Sequence, residues 1–276
     1  MSAATTNGRR QAVAVILGSA FGVETLGELE LEPVEVATRH GPAVLHRTVG
    51  GGRPAYVLFR HGLRHRWLPN QIPYRAHAAA LAEVGCGALL VTSSVGVLHP
   101  ELPLNVPLVV GDLLTMDNRL PDGSACTMFP AVAAGHGHLV LSEGLLSPAL
   151  RAQVRRLAAG LGIEVWRREV VFGYVSGPRS KTRAENRMWA ALGADVNSMT
   201  LAPEVILANE LEIPTAAFVI GHKYSLPTGD APDRRGVDRS LVESRGAQRD
   251  LVLAFLRGGE PVAFGNHLYR YRESVR

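Results

Sequence analysis

Five short polar segments, each ending an apolar run, carry residue types suited to holding an anion: Gly18-Ser19, Arg60-His61-Gly62, Thr92-Ser93-Ser94, Ser198-Met199-Thr200 and His222-Lys223. An arginine offers phosphate a forked, permanently charged donor, and serine or threonine hydroxyls add further donors. Any one of these fragments alone reads equally well as a turn. Gly18-Ser-Ala-Phe-Gly22 lacks the glycine spacing of a dinucleotide-binding loop. The case for chemistry therefore depends on whether the segments meet.

The elements that would bring them together are legible as apolar runs. Residues 12–17, 54–59, 88–92 and 108–114 are β-branched-rich and read as buried strands, as do 163–167, 170–175, 196–199 and 215–220. Helical spacing covers 71–85, 147–161, 182–192, 203–212 and 237–257, with Thr182 and Glu185 at capping-box spacing and Pro203 at a helix start. Strands alternating with helices predict an α/β fold with a mixed, largely parallel central sheet flanked by helices. In such sheets ligands bind outside the carboxyl ends of strands, where these five segments fall.

Composition sets the outer bounds. The chain has 276 residues, 46% of them apolar, and reads as one domain over 1–276 with tails at 1–11 and 260–276. Cys86 and Cys126 have no metal-ligand spacing and suggest reduced thiols in a cytoplasmic protein. Residues 1–11 lack the apolar core of a signal peptide, and no run is long enough to span a membrane. The net charge of +4 is spread as scattered arginines, which argues against a nucleic-acid surface. No histidine pattern supports a metal site. Against that arginine background only two lysines occur, Lys181 and Lys223.

Taken in order, Ile16-Leu-Gly-Ser19, Arg60-His-Gly62, Val91-Thr-Ser-Ser-Val-Gly96, Gly177-Pro-Arg179, Arg183-Ala-Glu185 and Gly193-Ala-Asp-Val-Asn-Ser-Met-Thr200 before Pro203-Glu204 resemble the trimeric nucleoside phosphorylases. Arg60-His61-Gly62, His65 and Gly177-Pro-Arg179 bring the chain nearer the methylthioadenosine type. The resemblance, running from about residue 12 to 257, implies phosphate binding by Ser19, Arg60, His61, Ser93, Ser94 and Thr200. It implies Met199 against the ribose and His65 near the sugar of a neighbouring subunit, hence a homotrimer. Inorganic phosphate would be co-substrate, with no other cofactor. Phosphorolysis passes through a cationic sugar, so an anion beneath C1′ stabilises it, and the departing base needs a proton or hydrogen bond.

The leaving-group side departs from that family. The family's purine-stacking Phe is replaced by Ser180, and the guanine-type Glu by Lys181. The purine-reading acidic positions fall on Lys223 and Ser225. His222 and Lys223 are the residues placed to assist a departing base. Arg234 and Arg235 fall where the methylthioadenosine type has apolar residues around the 5′ group; they would either mark a polar 5′ substituent or lie exposed on a loop. Two readings of the lysines stay open: a diverged loop, or a pocket for an acceptor-rich or anionic base. The expected activity is phosphate-dependent cleavage of a purine nucleoside or nucleoside-like compound with altered base specificity. The alternatives are a hydrolase on the same fold and a non-catalytic nucleoside- or phosphate-binding protein.

Overall fold

The computed structural model describes residues 10–19, 21–133, 135–226 and 234–270, and over 234–244 the backbone alone. The first part of the chain forms β1 (Ala12–Leu17), β2 (Leu31–Val36), β3 (Ala43–Thr48), β4 (Ala55–Phe59), α1 (Tyr74–Glu83), β5 (Cys86–Val97) and β6 (Pro107–Leu114). There follow β7 (Gly137–Val140), α2 (Pro148–Gly160), β8 (Val170–Tyr174), α3 (Arg183–Ala191) and β9 (Val196–Ser198). The last elements are α4 (Ala202–Glu210), β10 (Thr215–Tyr224), α5 (Arg234–Gly258) and β11 (His267–Arg270).

Nine strands share one mixed sheet in the order β10-β6-β8-β9-β5-β1-β4-β3-β2, and β10 also pairs with β5. That extra pairing closes β5, β9, β8, β6 and β10 into a ring, from which β1, β4, β3 and β2 extend. β1 is parallel to β4 and β5, and β5 to β10, so the carboxyl ends of these strands share one rim. The central strands β1 and β5 are buried on both faces, which explains why they read as continuous apolar runs. Along β1, Ala14 and Ile16 join a cluster with Leu81 of α1 and Val205 of α4, while Val13, Val15 and Leu17 join Val154 of α2 and Phe255 of α5. Fully burying each large aliphatic side chain stabilises the fold by about 1.5–3 kcal/mol.

The structure corrects several boundaries. No strand forms at 163–167, where Ile163 N–H closes onto Ala158 O (2.9 Å) and Trp166 N–H donates to Pro107 O (3.0 Å). Both edges of β6 are already occupied by β8 and β10, so no ladder is open to that segment. β5 and β10 are longer than their apolar cores: Ser93, Ser94, His222 and Lys223 lie inside strands and not in the loops beyond them. The unforeseen strands β2 and β3 extend the sheet edge as an antiparallel pair, with Pro33 tolerated because β2 pairs on one side only. Residues 260–270 are not a free tail, because β11 pairs with β7 and buries Leu268. Among the described residues no helix is long and apolar enough to cross a membrane. Cys86 and Cys126 are free buried thiols, each pushed up to about 12 chiefly by burial.

Candidate active site

A cavity of about 540 Å³ lies at the shared rim. Ser19, Arg60, His61 and His65 line it from the ends of β1 and β4, and Ser93 and Ser94 from β5. Met199 and Thr200 follow β9, Ser180 and Lys181 precede α3, and His222, Lys223 and Ser225 come from β10 and just beyond. The residues singled out from the sequence for phosphate, sugar and base thus line one cavity.

The anion-binding candidates gather around a buried ion pair. Arg60 is 1% exposed and donates from Nε to Glu204 Oε1 (2.5 Å) and from Nη2 to Glu204 Oε2 (2.7 Å). Its remaining nitrogen, Nη1, would lie 3.1 Å from a Cβ on Gly18, so the glycine lets the guanidinium approach the first loop. Ser93 Oγ lies 3.4 Å from Thr200 Oγ1 and 3.5 Å from Ser198 Oγ, which in turn donates to Ser94 O (3.1 Å).

Thr200 is held by an uncommon backbone turn. Leu201 has φ 77° and ψ −55°, and Ala202 N–H donates to Thr200 O (3.0 Å). Those angles with that i to i+2 bond make a γ-turn of the rare, strained hand. Burial of Leu201 at 0% exposure, inside the core under α4, holds it there. Such strain costs of order 1–3 kcal/mol and persists only where packing over-determines it.

His61 Nδ1 lies 2.9 Å from Trp67 O. A carbonyl only accepts, so Nδ1 carries the proton and Nε2 is the open position of the neutral ring. Burial lowers the His61 pKa, against the opposing pull of that hydrogen bond. His65, expected to serve a neighbouring subunit, lines this chain's own cavity and stacks on His61 at 5.5 Å. Met199 packs where Gly177 leaves room, its Sδ 2.8 Å from the place of a Cβ on that glycine.

The opposite end carries the two lysines. Lys181 stands immediately before the capping box of α3, in which Glu185 N–H donates to Thr182 Oγ1 (3.2 Å) and Thr182 N–H to Glu185 Oε2 (2.7 Å). Burial, and then the charge of Lys223, bring the Lys181 pKa down to about 8, against a weaker pull from Glu185. Burial and both lysines push the His222 pKa down to about 4, so its ring is a neutral imidazole at pH 7 and could assist a departing base only through a hydrogen bond. Its Nδ1 is buried with no partner among the described residues.

Sequence reasoning missed Glu204's hold on Arg60 and a polar relay behind the lysines. Asn197 Nδ2 donates to Asn186 Oδ1 (2.9 Å), and Asn186 Nδ2 donates to Ser225 O (3.0 Å). Gly96 admits this packing, since a Cβ there would fall 2.0 Å from Ser225 Oγ. The only signal in the sequence was an asparagine inside an otherwise strand-like run. Among the described residues no group of three His, Cys, Asp or Glu side chains is placed to hold a metal. The side chains of Arg234 and Arg235 lie outside the described residues.

Comparison with known proteins gives the site its context. A profile described as the Phosphorylase superfamily matches residues 12–257. The chain is 34% identical over 212 residues to a probable S-methyl-5′-thioinosine phosphorylase of Methanopyrus kandleri, covering 75% of this chain and 78% of that one. It is 34% identical over 180 residues to the S-methyl-5′-thioadenosine phosphorylase of Thermofilum pendens, covering 64% of this chain and 65% of the relative, just under two thirds of its length. Among solved structures, methylthioadenosine phosphorylase from Schistosoma mansoni in complex with adenine superposes with a TM-score of 0.78 at 25% identity, covering 89% of this chain and 90% of that one.

Proposed function

Because the chain belongs to the Phosphorylase superfamily, we propose that it cleaves the N-glycosidic bond of a purine nucleoside or nucleoside-like compound with inorganic phosphate, releasing free base and sugar 1-phosphate. The observation that carries this reading is the meeting of Ser19, Arg60, His61, Ser93, Ser94 and Thr200 on one cavity whose far end holds Lys181 and Lys223. The first group is the phosphate cradle. Hydroxyls and the one Arg60 nitrogen not turned to Glu204, Nη1, orient the anion, and the pairing of Nε and Nη2 with Glu204 keeps the guanidinium fixed in place. Met199 packs against the ribose, with His65 at the sugar. The reverse synthesis uses the same groups.

In the reaction a phosphate oxygen bonds to C1′ as the C1′–N bond breaks, and the bonding pair goes to the ring nitrogen. Phosphate stabilises the cationic sugar between these events. Proton donation to the departing base falls to Lys181 and Lys223, because His222 is neutral at pH 7. The relatives named as methylthioadenosine and methylthioinosine phosphorylases support the nucleoside class. Phosphate is the one co-substrate in this reading, and the enzyme is a cytoplasmic homotrimer whose partners are small molecules only.

The test is base release from nucleosides with and without phosphate, with sugar 1-phosphate measured in parallel. Release that requires phosphate and yields sugar 1-phosphate in equal amount is the expected result. Release indifferent to phosphate would make the protein a hydrolase, and phosphate binding without turnover a binding protein. Light scattering should give three times the 29.6 kDa chain mass.

A further inference from the structure

Resting on the phosphorylase reading, we propose that the far end of the cavity takes a leaving group that already bears a negative charge on oxygen, a ring carboxylate or an ionised dioxopurine, beside one ring N–H. Both lysines of the protein stand there, brought from separate elements, and the charge of each acts on the same neighbour, His222. No carboxylate lines the cavity among the described residues. The two acids nearby are engaged elsewhere. Glu185 is held by Arg179 (2.7 and 2.9 Å) and by the cap of α3, and Glu204 by Arg60. Two lysines at one end of a cavity that no carboxylate lines repel each other, and an anion placed between them offsets that cost. The exocyclic amine of adenine would present a donor to donors, which selects against it.

The N–H requirement comes from the asparagine relay. Ser225 O can only accept, so Asn186 must turn Nδ2 toward it and Oδ1 toward Asn197. Asn197 must then donate with Nδ2, which leaves its Oδ1 as the free acceptor, and that atom is buried with no partner among the described residues. Asn197 is 0% exposed to solvent and lines the cavity. A ring N–H of the ligand is the donor that would satisfy this carbonyl.

The charge balance of the step follows. When the C1′–N bond breaks, the pair left on nitrogen would make an already anionic base a dianion. A proton from a lysine ammonium returns it to a monoanion, which stays paired with the other ammonium, and the neutral amine regains its proton from solvent.

The test is kcat/KM of the full-length protein at saturating phosphate and pH 7.5 for four ribosides: xanthosine, 6-carboxypurine riboside, inosine and adenosine. At least one of the first two should exceed both neutral ones by about tenfold or more, the size expected for a charged hydrogen bond. Which of them leads tells the carboxylate from the ionised dioxopurine. Lys181→Met and Lys223→Met should each reduce the anionic-to-neutral ratio by about tenfold. That ratio, taken within one preparation, is independent of how much of a variant folds. Equal or better use of inosine or adenosine overturns the inference and leaves the phosphorylase reading intact. An anionic preference that survives both substitutions removes the lysines from it. No phosphate-dependent release from any of the four overturns the phosphorylase reading itself.

Discussion

Arg60 and Glu204 form a doubly hydrogen-bonded ion pair, 2.5 and 2.7 Å, with both side chains 1% exposed. The pair ties the end of β4 to the first turn of α4, where a carboxylate also suits the positive end of the helix. It leaves a single guanidinium nitrogen toward Gly18. Breaking a buried pair from one side strands the other charge. Glu204→Ala should therefore destabilise the fold by about 3–5 kcal/mol in urea unfolding. Loss of under 1 kcal/mol would mean that water or another group compensates Arg60.

Gly18→Ala separates binding from folding. The added methyl would stand 3.1 Å from Arg60 Nη1 and 4.0 Å from Thr92 O, a tight but not impossible fit. Phosphate KM should rise by about tenfold as the guanidinium is displaced from the anion, while the unfolding midpoint moves little. A large fall in stability with phosphate KM unchanged would place Gly18 in the backbone turn alone.

The depressed pKa of Lys181 makes a signed prediction about stability. Its folded pKa, about 8, lies below the usual 10.5, so between those values the unfolded chain holds more protons than the native one. Stability from this group therefore rises with pH across that window, and below pH 8 the buried charge is a standing cost. Lys181→Met should melt higher than the wild type at pH 7, with the gap narrowing toward pH 10.5. A gap independent of pH would show that packing and not charge sets it.

The same ionisation should appear in activity. Lys181 faces Lys223 and His222, with Glu185 behind it on α3, and His222 is already neutral above pH 5. For a substrate held through the Lys181 ammonium, kcat/KM should fall as pH rises through about 8, and Lys181→Met should flatten that limb.

Thr182→Ala tests how the base end is positioned. Losing the cap should cost about 1 kcal/mol. It also frees the residue next to Lys181, so KM for the nucleoside should rise more than KM for phosphate. Equal effects on both would detach Lys181 from the base end.

The features legible in the chain alone were those whose signals are local. Continuous apolar runs marked β1, β4 and the core of β5, the Thr182–Glu185 spacing marked the start of α3, and polar residues at strand ends marked the rim. The extra residues of β5 and β10 were invisible, because Ser93, Ser94 and Lys223 are strand residues only through the pairing of these two strands with each other, with His222 at the register shift between Gly221 and Lys223. The edge strands β2 and β3 carry half-exposed patterns too weak to stand out. Tertiary structure alone decided that Glu204 holds Arg60 across 144 residues of chain, and that Asn197 spends its amide on Asn186. It also decided that His222 loses its proton while Lys181 is brought to about 8. Residue type states what a group can do, but its charge state and partners depend on burial and on neighbours distant in sequence, and these exist only once the ring of strands has closed.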